Sequence, residues 1–172
     1  IEKVAAEFPD TKFVIVDAVV DLPNVRSVVY KEEEGSYLVG VLAGMASKTG
    51  KVGFVGGMDI PLIRKFECGY DQGARAAKAG NEVFQNYVGT TGAAWSDPVR
   101  AGELTKGQID QGADVIYAAA GASGIGVLQT AADVEISGLV RLRRLHDDRL
   151  LMEVPLQAAG QVPGRQGRAY WR

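Results

Sequence analysis

Three short stretches hold the residues that could do chemistry: Gly56-Gly57-Met58-Asp59, the run from Thr90 to Asp97, and Ala120 to Gly124. Each follows a segment that reads as a strand, and an open parallel sheet binds ligands at the carboxyl ends of its strands. Gly57 and Gly121 permit close backbone approach, Trp95 offers a flat apolar face, and Asp97 sets a carboxylate beside it. An aromatic ring next to an acceptor can grip a heterocycle bearing hydroxyls or amines. Stacking contributes roughly 1–3 kcal/mol per base, and the acid supplies orientation. The plainer roles are a partly buried loop aromatic for Trp95 and a helix N-cap for Asp97. Glu34 ends the acidic run Glu32-Glu33-Glu34, which reads as a solvated helix start. A functional role for Glu34 stays open, because that helix end should also face a strand terminus.

The stretch GASGIG, Gly121 to Gly126, invites a dinucleotide-binding reading, and with it a nucleotide-dependent oxidoreductase. Its spacing is G-x-x-G-x-G rather than G-x-G-x-x-G, it follows the fifth strand rather than the first, and no Tyr-x-x-x-Lys pair accompanies it. A glycine-rich turn donating backbone N–H groups to a polar ligand is the simpler account. The single histidine, His146, lies in an anomalous C-terminal region, so a histidine triad in the main body is excluded. Cys68, the lone cysteine, falls within a predicted helix as a small packed residue. It rules out an internal disulfide framework and any cysteine-only metal site. This inventory favours a binding protein over an enzyme, with no cofactor.

The elements that must position these residues are legible in order. IEKVAAEFPD reads as a helix tail, Lys12 to Ala18 and Val25 to Tyr30 as strands, and Glu33 to Ser47 as a helix with acids on its first turn. Lys51 to Gly57 is a third strand, apolar enough for burial on both faces. Pro61 suits the first turn of a helix reaching about Lys78. A fourth strand spans Glu82 to Gly89, and Asp97-Pro98 opens a helix ending near Gly112. Asp114 to Gly121 is the fifth strand, and GIGVLQTAAD starts the next helix. Strands alternating with helices imply an α/β protein, a three-layer parallel sheet with helices on both faces and right-handed crossovers.

Bulk properties narrow the function. The 172 residues suffice for one buried core, and a net charge of −2 argues against a nucleic-acid surface. The longest apolar or glycine run, Leu38 to Ala46, is too short to span a bilayer. The chain opens at Ile1 as though inside a helix, without signal peptide or lipidation cysteine, so an upstream segment is expected.

The blocks EEEGSYLVGVLAGMAS, GKVGFVGGMDIP and DVIYAAAGASGIGVLQTAAD, in this order, closely resemble the basic membrane protein family. These are substrate-binding lipoproteins of ABC transporters, often specific for purine nucleosides. The resemblance runs through nearly all of residues 1–133. It implies a type I periplasmic-binding-protein fold of two lobes, here partial, closing on a ligand in the cleft and presenting it to a membrane permease. It places residues 1–47 at the end of the first lobe, a hinge crossing at Ser47 to Gly50, and most of the second lobe in 48–133. Trp95 falls where the family stacks an aromatic on the base, with Asp97 close behind. Gly57, Met58, Gly121 and Ser123 fall on the cleft rim, and Glu34 near the cleft. An extracytoplasmic, lipid-anchored location follows for full-length members.

From residue 134 to 172 the pattern fails. Residues 1–133 hold all eight lysines, four arginines and seventeen acids, a net of −5; residues 134–172 hold seven arginines, no lysine and four acids, a net of +3. Family members continue with a Gly-x-Asp-Ser-Asp-like strand where this chain has SGLVRLRRLHDD. The codons for Arg141 to His146, read one base later, can encode Asp-Ser-Asp-Asp-Tyr, so a frame slip is the expected origin of the switch to arginine, in preference to an evolved basic tail; a truncated fragment without function is the further alternative. Arg149 to Val154 reads as a short strand or helix, and the last ten residues as disordered.

Overall fold

The computed structural model describes residues 1–134, 137–138, 141–144 and 150–153. They form two compact units, the first covering Ile1–Glu32 and the second beginning at Glu33.

In the first unit, helix α1 (Glu2–Glu7) precedes parallel strands β1 (Phe13–Val16) and β2 (Val25–Val28), registered Phe13 to Val25 and Val16 to Val28. The Asn24 side-chain amide donates to the carbonyls of Ala5, Phe8 and Thr11 at 2.9, 3.1 and 3.0 Å. It thereby takes up the Ala5 carbonyl near the helix end and ties α1 to the turn that follows it.

The second unit is built on a four-stranded parallel sheet. Its strands are β3 (Lys51–Met58), β4 (Glu82–Gly89), β5 (Val115–Ala119) and β6 (Ser137–Gly138), in the order β4-β3-β5-β6. Strand β3 lies between β4 and β5, so residues 52–57 are buried without a break. That explains its continuous apolar sequence. On one face Phe54, Tyr70 and Ile63 pack with Ala43 and Val115; on the other, Val55, Ala101, Ile116 and Val127. Helices α2 (Glu32–Ala46) and α3 (Pro61–Ala77) supply the first face, and α4 (Pro98–Asp110) and α5 (Gly124–Asp133) the second. The three-layer α/β architecture expected from the sequence is therefore present.

The rings of Phe54, Tyr70 and Tyr117 meet at centroid distances of 5.3–6.1 Å. The Tyr70 hydroxyl is buried with no hydrogen-bond partner among the described residues. Burial, followed by the nearby Tyr117 and Asp114 charges, pushes its pKa far above the ordinary phenol value. Opposite, the buried Gln108 amide donates to the Phe54 carbonyl at 2.9 Å and to Asn86 Oδ1 at 2.8 Å, tying α4 to two strands.

Two features differ from the sequence-based expectation. The resemblance puts 1–47 in the first lobe, yet α2 packs against α3 inside the unit that begins at Glu33. Gly40 faces the Tyr70 carbonyl, and Gly73 faces that of Tyr37, each too close to admit a side chain. The stretch Ser47 to Gly50, read as a hinge crossing, is tethered by one carboxylate. Asp114 Oδ1 accepts from Ser47 Oγ at 2.6 Å, and Oδ2 accepts from the Lys48 and Thr49 amides at 2.7 and 3.1 Å.

Beyond Asp133 the parallel pattern continues one strand further than the sequence suggests, because β6 pairs Ser137 with Val115 and Gly138 with Ile116. Strands β7 (Arg141–Arg144) and β8 (Leu150–Glu153) form an antiparallel pair, so the segment read as strand or helix is a strand. His146 and the last ten residues lie outside the described residues.

Candidate functional site

The carboxyl ends of β3, β4 and β5 come together because the three strands are parallel and adjacent. Met58 ends β3, partly buried and paired with Gly89, and the Asp59 amide donates to the Gly89 carbonyl at 3.0 Å. After β4 the chain makes a 3-10 turn, Gly92–Trp95, that carries the indole back over the sheet end. Trp95 is partly buried, against the face that holds Phe54 and Ile63.

Two glycines make room for it. A β-carbon on Gly57 would lie 2.5 and 2.6 Å from Trp95 Cζ3 and Cε3, and one on Gly121 would lie 3.4 Å from Cε3. Gly121 also has φ +56°, a left-handed backbone that glycine adopts without cost. Gly57, Trp95 and Gly121 are thus one assembly, drawn from the end of β3 and the turns that follow β4 and β5.

Asp97 is exposed and caps α4: its Oδ1 accepts the Arg100 amide at 2.9 Å, and Pro98 occupies the first turn. The N-cap read from the sequence is therefore present, two residues after Trp95.

Ser123 is placed differently from expectation. It belongs to the second 3-10 turn, Gly121–Ser123, but its side chain is fully buried. Its hydroxyl donates to the Ala94 carbonyl at 2.7 Å and accepts the Asp97 amide at 2.7 Å. It sits under the rim rather than facing a ligand. Glu34 is exposed in the first turn of α2. The adjoining Glu33 backbone lies against Gly69, eight residues along α3 from Pro61, or roughly 12 Å of helix. The structure does not bring Glu34 to the Trp95 rim.

One set of rim neighbours has no obvious sequence signature. Arg64 Nη2 donates to Asp59 Oδ2 at 2.8 Å, and its Nε lies 2.7 Å from Oδ1, near enough for ion pairing but off the line of a hydrogen bond. The guanidinium sits 5.8 Å over the Tyr87 ring, whose hydroxyl bonds Glu67. Burial, then the Glu67 hydrogen bond, raises the Tyr87 pKa well above normal. The only available signal was an acid and an arginine flanking the helix-starting Pro61. This group braces the β3–α3 turn that follows Met58.

A shallow apolar groove between α4 and α5, lined by Val99, Gly102, Ile125 and Thr130 among others, contains none of the rim residues named above. Among the described residues no cluster of His, Cys, Asp or Glu could hold a metal ion, and no helix is long and apolar enough to cross a membrane.

Comparison with known proteins agrees with this architecture. The family model described as "ABC transporter substrate-binding protein PnrA-like" matches residues 1–143, reaching past β6. The chain is 40% identical over 124 residues to the ABC transporter nucleoside-binding protein BmpA of Lactococcus lactis, covering 72% of this chain and 34% of that protein. It is 37% identical over 134 residues to basic membrane protein D of Borreliella burgdorferi, covering 76% and 38%. Among solved structures, an ABC transporter solute-binding protein of Aeropyrum pernix superposes with a TM-score of 0.71 at 28% identity, covering 78% of this chain and 39% of that one. The chain thus spans little more than a third of the length of these relatives.

Proposed function

This chain belongs to the PnrA-like family of ABC transporter substrate-binding proteins, and from that premise we propose that its rim is one wall of a purine-nucleoside site. The observation that carries the reading is the seating of Trp95 at the ends of three parallel strands, with the Asp97 carboxylate two residues away at the start of α4. A base stacks on the indole, and the carboxylate with the surrounding backbone amides bonds the hydroxyls and edge atoms. The name of the Lactococcus lactis relative, a nucleoside-binding protein, supports the same ligand class. In the complete protein the bound nucleoside passes to a membrane permease, from an extracytoplasmic, lipid-anchored position, and no reaction is catalysed.

The test is a fluorescence titration. With Trp171 replaced by Phe, Trp95 is the only tryptophan. Guanosine or inosine should quench it saturably, both in this chain and in a full-length form restoring the family's remaining segments, whereas NAD should not. Trp95→Ala, followed calorimetrically, should weaken nucleoside affinity by roughly 5- to 150-fold, the equivalent of one lost stacking contact. Unchanged affinity in that variant would remove the stacking role. Saturable quenching by NAD instead would revive a dinucleotide role for the GASGIG turn.

A further inference from the structure

We propose that Ser123 is a positioning residue, whose hydroxyl locks the turn carrying Trp95 so that the indole is presented as a preformed platform before any ligand arrives. The use of that platform for a base rests on the reading above, but the locking does not.

The hydroxyl of Ser123 is fully buried, and its hydrogen bonding is taken up on both sides of the indole in sequence. Its proton goes to the carbonyl of Ala94, the residue before Trp95, itself 4% exposed. Its lone pair takes the amide of Asp97, the residue that caps α4. A serine hydroxyl offers one donor and two acceptor sites, so one small side chain closes both ends of the Ala94–Asp97 segment. A buried carbonyl left without a partner is costly, so the contact to Ala94 is not easily surrendered, and the part-buried bond from the Asp97 amide adds to it. The segment cannot pivot toward the sheet, because the indole already rests on Gly57 and Gly121. The hydroxyl, on the same 3-10 turn as Gly121, holds the backbone on either side of the indole. A ligand therefore meets an aromatic face whose position the fold has already set, and little ordering free energy is spent on binding.

The test reads Trp95 directly, without ligand, in the full chain carrying Trp171→Phe. Ser123→Ala should raise acrylamide quenching of Trp95 about twofold or more and weaken its near-ultraviolet dichroism, as expected when a local brace opens. Ser36→Ala, which changes another buried serine, should leave both signals at the parental values. Ser123→Thr, which keeps the hydroxyl, should restore them in part. A folded Ser123→Ala protein with parental quenching and dichroism would overturn the proposal. Should that variant fail to fold, exchange of the Asp97 amide in the unsubstituted chain decides. Protection of about tenfold or more over a free amide is the expected result, and exchange at the free rate overturns the proposal. Because none of these readouts uses a nucleoside, a failed nucleoside titration beside an opened Trp95 in Ser123→Ala would sink the ligand reading alone.

Discussion

Gly73→Ala should destabilise this protein by about 2–3 kcal/mol, even after the roughly 0.5–1 kcal/mol that alanine gains over glycine inside a helix. Gly73 lies in α3, and a β-carbon there would enter the space of the Tyr37 carbonyl and come within 2.9 Å of the Val41 amide nitrogen. Both are backbone atoms of α2 and cannot swing aside as a side-chain tip would. The helices must therefore part, and parting them loosens the apolar layer in which Ala43 meets Tyr70 and Phe54. Urea unfolding followed by far-ultraviolet dichroism measures the change. The control is Gly107→Ala in α4, where a β-carbon meets nothing within 4 Å. That change should stabilise by about 0.5–1 kcal/mol, since only the helix preference remains. The same substitution in two helices should thus shift stability in opposite directions. Equal effects at both sites would mean that α2 does not pack on α3 as described.

The second large effect concerns Asp114. Its carboxylate receives the Ser47 hydroxyl and two backbone amides, and Ser47 Oγ in turn accepts the Gly50 amide at 2.9 Å. Hydrogen bonds to a charged acceptor contribute about 1.5–3 kcal/mol each where they are shielded, and here two of the three are exposed. Asp114→Ala should therefore cost about 2–4 kcal/mol, a fall in Tm of roughly 5–15 °C for a chain of this length. Asp114→Asn, which keeps one carbonyl acceptor, should lose about half as much. Amide exchange at Lys48 and Thr49 should rise sharply in the alanine variant while the centre of β3 stays protected. If the two amides exchange freely in the unsubstituted protein, the connector is a mobile crossing after all, and the tether has no weight.

The elements read from sequence match the structure where the signal is local. Pro61 opens α3, and Asp97 caps α4 with its own side chain while Pro98 fills the first turn. The unbroken apolar run of β3 corresponds to the strand buried on both faces. Strand limits were less legible: the first, read as Lys12 to Ala18, forms as Phe13–Val16. Chain leaves the ladder at Asp17, which takes φ +62°. β6 was missed because two residues carry no period, and only its pairing with β5 defines it.

Amino-acid order by itself determined the alternation of strands and helices, the family, and the presence of Trp95, Asp97, Gly57 and Gly121 at strand ends. Period, caps and turn glycines act over a few residues, so they survive in a linear reading. Tertiary structure alone decided where each of the remaining side chains is placed and what it touches. Ser123 looked like a ligand contact and is a buried brace, through partners 26 and 29 residues away. Ser47 looked like a hinge and is tied to an aspartate 67 residues on. Helix α2 read as part of a first lobe, yet glycines on both helices seat it on α3. The physical reason is common to all three. Whether a hydroxyl meets solvent or a carbonyl, and whether a glycine is slack or a seat, depends on which distant backbone folds against it, and no local pattern carries that information.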